Sequence, residues 1–341
     1  MAAQSSAQTS EKQSVKKAVK TLKSALNLKT FTAVLLLTFC VLMLVNPSFY
    51  LESARKGLTL FSAIVLPSLF PFYFCALLLT EIGAAKVLST LFEKPFFKLY
   101  RTPKESAYVM LLSMISGYPV GASCLKELYL AGVIDTSDVK AISAFASTSG
   151  PVFMLGTLGS AIFGNLATGA IILVSHYIAA FLNGFFYRKK ASYENRVVRT
   201  QSTTDNLLAK SMERATFSML IVGGYIVICG MIVDTLSLLG VDKLILSTFG
   251  SDGQPLVALL FGMVEMTRGG IECAKCAFRP LGVALATAIV SFGGLSVTFQ
   301  NHTFLASCGV KFKETLARKF THCAVAFVLA FALAIIFKKY I

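Results

Sequence analysis

Two charged residues, Glu265 and Arg268, stand close together inside apolar sequence, in Glu265-Met266-Thr267-Arg268-Gly269-Gly270. Ionisable groups at membrane depth are costly and tend to mark ion or substrate paths. A carboxylate there can carry a proton, bind a sodium ion or accept hydrogen bonds from a ligand, and a guanidinium can clamp a ligand carboxylate. One helical turn apart, the two can equally pair with each other. The other polar candidates are neutral and come in short clusters. Ser116, Tyr118 and Pro119 lie in Ser116-Gly117-Tyr118-Pro119-Val120-Gly121-Ala122, and Ser147, Thr148, Ser149 and Gly150 precede Pro151. Thr267 sits between the two charges, while Gly293, Gly294, Ser296, Thr298, Gln300 and Asn301 follow Phe292. Hydroxyls, amides and freed backbone groups suit recognition of a ligand by hydrogen bonds. The chain holds no HExxH and no GxSxG, and no convincing His/Asp pair, so no catalytic residue is assigned and an enzyme is not expected.

The elements that position these residues are set by composition. Of 341 residues, 55% are hydrophobic and 14% charged, with a mean hydropathy of +0.70. Soluble domains carry about a quarter charged residues, and several apolar runs here approach the ~20 residues that cross a bilayer. The class is therefore an all-α polytopic membrane protein. The formal charge of +15 resides mainly in the tail and in loops between spans, where Lys and Arg set orientation and meet anionic headgroups. Nucleic acid is not an expected partner; the lipid bilayer and a small-molecule substrate are, and homo-oligomerisation stays open. Eight cysteines occur, mostly within apolar runs where Cys acts as a small hydrophobe. Cys273 and Cys276 alone form a CxxC, so no metal site, cofactor or disulfide framework is expected.

In chain order, residues 1–30 form a basic N-terminal segment, with Val15, Val19, Leu22 and Leu26 at helical spacing among lysines, suited to lie on a membrane face. Residues 31–55 hold a first span, about 31–45, and a loop. Residues 56–190 contain a span at about 58–79 kinked by Pro67 and Pro71, an interfacial segment 83–104 and a hairpin about the 116–122 break. A span at 139–161 broken at 147–151 and a span at 166–187 follow. Residues 191–214 are a basic linker. Residues 215–341 repeat the order: a span at 216–237, an amphipathic piece 238–249, a hairpin 255–278 broken at 267–270, a span 281–304 broken at Gly293-Gly294, and a span 321–337. His176 is expected to be packed and satisfied rather than a ligand.

With the N-terminus cytoplasmic, the first hairpin dips in from the cytoplasm and the second from the opposite face. That is an inverted-topology repeat with two re-entrant hairpins and two discontinuous helices, whose breaks meet at a midplane site. The same count puts Lys338 and Lys339 outside. A non-transporting scaffold or receptor, holding partners through its basic tail and loop, is the alternative from a different class.

The residues Leu66-Pro67-Ser68-Leu69-Phe70-Pro71-Phe72, Ser116 to Ala122, Ser149 to Phe153, His176-Tyr177, Glu265 to Thr267 and Phe292 to Val297 together resemble the nucleoside-recognition (Gate) family. Within it they resemble the sporulation integral membrane proteins of the YlbJ type. The resemblance implies a fold similar to concentrative nucleoside transporters. It also implies movement of dipicolinate, an aromatic dicarboxylate, across the cytoplasmic membrane, or across the outer forespore membrane if the host sporulates. Ser147, Thr148, Ser123 and Arg268 depart from the family's usual residues. With Arg268 as the charge for a carboxylate, a secondary transporter of a small organic anion is expected. A nucleoside transporter is the runner-up, and the coupling ion, sodium or proton, is unassigned.

Overall fold

The computed structural model describes residues 29–82, 94–189 and 206–341, and their regular structure is entirely helical. Residues 1–28 of the basic N-terminal segment, 83–93 of the interfacial segment and 190–205 of the linker lie outside the described residues. The chain forms two compact units, Met1–Glu52 and Ser53–Ile341. The first holds α1 (Lys29–Val45), whose Phe31, Leu35, Leu37 and Leu44 are exposed, as befits a helix whose solvent is lipid. Tyr50 is buried edge-on against Phe39 and Phe49.

The second unit carries every candidate site residue. Helix α2 (Pro47–Leu60) widens into a π-helical turn, Phe61–Val65, and continues as α3 (Leu66–Glu81). Instead of breaking at its prolines, the chain stays helical through Pro71, and the wide turn stands immediately before Pro67. A local change of helical pitch is one way a span absorbs a missing amide donor. After α4 (94–100) come α5 (Glu105–Ser116), α6 (Val120–Leu130) and α7 (Thr136–Ile142). The start of α7 is fixed by a reciprocal cap. Asp135 caps it by accepting from the Asp138 amide at 2.8 Å, while Asp138 accepts from the Asp135 amide at 3.2 Å. An unwound strand at 147–150 leads into a π-helical segment, Val152–Ile162, and then α8 (Leu166–Phe186).

Helix α9 (Leu207–Leu238) starts inside the predicted linker rather than at 216. Its first turns are held by Arg214, which donates to Glu81 at 2.8 Å and to Glu127 at 2.9 Å. Next come α10 (Val241–Phe249), α11 (Gln254–Val264), α12 (Met266–Ala274), α13 (Arg279–Phe292), α14 (Gly294–Ala306) and α15 (Phe312–Ile336). Helix α15 also begins early, so Arg318 and Lys319, read as loop residues, are helical and buried. Among the described residues, five helical stretches are long and apolar enough to cross a membrane: Leu166–Phe186, Leu207–Leu238, Val241–Val264, Arg279–Ala306 and Phe312–Ile336. They become six if the bent pair Lys29–Val45 and Pro47–Val65 is one span. The protein is a polytopic, all-helical membrane protein.

Helices α8 and α15 pack antiparallel around α13, and at 21 residues α8 is about 30 Å long, so its ends mark two faces. At one, Arg188 donates to the Lys98 carbonyl at 2.8 Å, Lys189 pairs with Asp138 at 2.6 Å and Lys140 pairs with Glu314 at 2.9 Å. Beside them Tyr100 donates to the Phe181 carbonyl, and burial pushes its hydroxyl up to about 12. At the other, the Asn165 amide donates to the Tyr340 carbonyl at 2.7 Å and Arg279 to the Phe163 carbonyl at 2.6 Å. Lys338 to Tyr340 thus lie at the end opposite the basic loops, as the crossing count requires.

Candidate functional site

Four interruptions break the helices, but that of the second hairpin lies at Glu265 and not at the expected 267–270, which is the first turn of α12 because the Glu265 carboxylate caps it. Helix α5 stops at Ser116 because Gly117 takes φ +84°, which L-residues rarely adopt, and α6 restarts after Tyr118 and Pro119. At Glu265 the backbone is extended (φ −139°, ψ 119°) between α11 and α12. The Glu265 carboxylate caps α12, accepting from the Thr267 amide at 3.2 Å and the Arg268 amide at 2.9 Å. Gly293, left-handed at φ +84°, separates α13 from α14. In each half the hairpin tip packs backbone to backbone on the neighbouring break. A Cβ on Gly117 would lie 2.6 Å from the Gly150 nitrogen, and one on Gly294 would lie 3.0 Å from the Gly262 and Val264 carbonyl oxygens.

These breaks surround one cavity of about 90 Å³, lined by Ser116, Gly117, Tyr118, Ser149, Gly150, Thr157, Glu265, Thr267, Ser296 and Gln300 on its polar side. Its apolar wall comes from α2 through α3 and from α9, including Leu60, Ile64, Leu69, Val222 and Ile226. Glu265 is its single charged lining residue. The lining breaks supply helix starts: Tyr118 precedes α6, Gly150 precedes the π-helical segment, Glu265 caps α12, and Ser296 lies in the first turn of α14. The amides and positive dipole ends of such starts favour negative charge, and at α12 the Glu265 carboxylate already takes that place. Against four starts stand two helix C-termini, that of α5 at Ser116 and that of α11, whose C-cap is Glu265.

Eight predicted residues thus share the cavity: Ser116, Tyr118, Ser149, Gly150, Glu265, Thr267, Ser296 and Gln300. Gln300 donates to the Ser296 hydroxyl at 3.2 Å. Eight others do not line it, among them Thr298, which donates to the Phe292 carbonyl at 3.3 Å. Pro119 caps α6, and Gly293 and Gly294 form the turn behind Ser296. The Thr148 amide donates to the Ser113 hydroxyl at 3.1 Å, which ties the 147–150 strand to the first hairpin. Ser147 faces a different cavity. Arg268 turns to Asp234 at 3.1 Å, where Ser53 also donates at 2.6 Å. Its guanidinium is engaged there, and its contact with Glu265 is through the backbone amide. Asn301 is buried with both amide atoms unpartnered.

Residues outside the predicted set hold the site. His176, fully buried, accepts from the Ser149 amide at 2.9 Å through Nε2, and its Nδ1 lies 2.8 Å from the Ser291 hydroxyl. It is satisfied, as expected, and it pins the strand to α13. Tyr177 donates to the Met114 carbonyl at 2.6 Å and the Ser149 carbonyl at 3.2 Å. Thr157 lines the cavity from the π-helical segment, with no local motif to flag it. Among the described residues no group of His, Cys, Asp and Glu could hold a metal ion. Burial first, and the Glu272 carboxylate second, push the Cys276 thiol up, so the CxxC is not poised as a thiolate.

Helical spans whose breaks line one cavity with a polar side define a polytopic membrane protein. The chain is a distant homologue of the sporulation integral membrane protein YlbJ of Bacillus subtilis (strain 168), 24% identical over 324 residues, covering 84% of this chain and 79% of that protein. No family model matches the chain, so the nucleoside-recognition resemblance rests on the motifs themselves. No solved structure matches it.

Proposed function

We propose that the protein is a secondary transporter that moves a small organic anion, a dipicolinate-like dicarboxylate, by alternating access at the cavity between two inverted repeats. The observation that carries this reading is the convergence of four helix starts, one of them already capped by Glu265, on one cavity that has a polar side. A partly buried helix start favours an anion by up to ~2 kcal/mol, so several together supply attraction without a lysine or arginine in the wall. The repeats, at 56–190 and 215–341, would each contribute a hairpin and a broken helix, with the basic end cytoplasmic. At about 90 Å³ the cavity is smaller than the ~150 Å³ that accepts benzene. A ring-sized ligand therefore needs a more open state, as alternating access supplies. Glu265 is the group placed to carry a coupling proton or sodium ion.

One observation favours a second reading. Glu265 and Gln300 with neutral hydroxyls also suit a sugar-hydroxyl ligand, which is the nucleoside transporter. Thermal unfolding of the purified protein separates the two. Stabilisation by dipicolinate, and none by uridine, adenosine or succinate, supports the aromatic dicarboxylate; a response to nucleosides alone overturns it.

A further inference from the structure

Behind Tyr118, on the side away from the main cavity, lies a second, smaller cavity lined by Ser143, Ser147, Arg318, Lys319 and His322 among others. Its cations are deeply buried: Arg318 is 8% exposed and Lys319 3%. The Lys319 ammonium sits 3.9 Å from the Tyr118 ring centroid and donates to the Ser147 carbonyl at 3.2 Å. Among the described residues it pairs with no carboxylate, and it keeps donors to spare. The Ser147 hydroxyl, in a residue over nine-tenths buried, has no hydrogen-bond partner among the described residues. A buried lysine, which only an anion beside it would keep charged, and an unmatched hydroxyl in one cavity are together what a bound anion would satisfy. At about 10 Å³ the space suits one water or one carboxylate oxygen.

This cavity also lies on a route. Arg318 lines both it and a surface vestibule of about 410 Å³ shared with Lys140 and Lys189 at the basic end of the molecule. On the inner side, Tyr118 and the 147–149 strand form the partition, since Tyr118 and Ser149 line the main cavity while Ser147 lines the second. We propose that Lys319, with Arg318 and the Ser147 hydroxyl, forms a second anion-binding site for a carboxylate group, placed between the basic vestibule and the main cavity. Displacement of the Tyr118 ring joins the two sites. The inference takes its direction of use from the transport reading, but its anion chemistry stands on the second cavity alone.

The test uses the full chain with its native cysteines replaced and Ser143→Cys added, in proteoliposomes, with negatively and positively charged methanethiosulfonate reagents of similar size. The negative reagent should react at least tenfold faster. Lys319→Met should bring the ratio to about one, and Lys319→Arg should retain it. Equal rates in the parent, no modification by either reagent, or an unchanged ratio in Lys319→Met overturns the site. If Lys319→Met does not fold, the parent ratio and a Lys319→Gln variant decide in the same way. Anion-selective modification in a protein that ignores dipicolinate supports the second site and overturns the dicarboxylate reading.

Discussion

Replacing Glu265 with glutamine perturbs two quantities in opposite directions. The carboxylate caps α12 through two backbone amides, at 3.2 Å and 2.9 Å. Hydrogen bonds to a charged acceptor contribute about 1.5–3 kcal/mol against about 0.5–1.5 for a neutral one. Glutamine also offers one acceptor oxygen where the carboxylate offers two, so the cap should lose about 2 kcal/mol. The same substitution removes the one charged lining residue of the cavity. A unit charge about 5 Å from a ligand carboxylate opposes it by about 3 kcal/mol at an effective dielectric near 20, roughly a hundredfold in affinity. Calorimetric titration of dipicolinate into purified Glu265→Gln should therefore show tighter binding in a protein that melts at lower temperature. Weaker binding of dipicolinate would refute the anion argument. Loss of a uridine response in the same variant would transfer the site to the nucleoside reading.

Three other substitutions test the scaffold. Gly117→Ala forces a Cβ to 2.6 Å from the Gly150 nitrogen at φ +84°, and such backbone strain costs about 1–3 kcal/mol before the clash is counted; a fluorescent-thiol melting assay should show a large fall in Tm. Arg268→Ala breaks the partly buried pair with Asp234, a loss of roughly 1 kcal/mol or more, and should leave ligand affinity within about threefold because Arg268 does not line the cavity. His176→Ala strips the Ser149 amide of its acceptor, a penalty of about 1–3 kcal/mol; hydrogen exchange should rise at 147–150, and unchanged protection there would remove His176 from its positioning role.

The breaks were legible because Gly, Pro and Ser inside apolar runs have few structural uses other than ending a helix. Eight site residues named from those clusters line one cavity. Arg268 went astray for a long-range reason: its partner Asp234 lies on α9, in a run whose own pattern gives no sign of it. Lys319 escaped notice because basic residues before an apolar run read as a loop, and His322 because it fell inside the expected span at 321–337. Helix α15 instead starts at Phe312, and its buried stripe of Thr315, Lys319, His322, Ala326, Ala330 and Ala334 repeats every three to four residues. That stripe is visible once the helix start is moved. Thr157 carries no such sign, since its place in the wall depends on how the π-helical segment packs on α8 and α12.

The most direct test of the central claim is counterflow of labelled dipicolinate in proteoliposomes, comparing wild type with Thr157→Phe, which fills the cavity from a residue outside the four breaks. The account predicts saturable accumulation by wild type and none by the folded variant. Accumulation by Thr157→Phe at the wild-type rate, or none by folded wild type with dipicolinate and uridine alike, would contradict it.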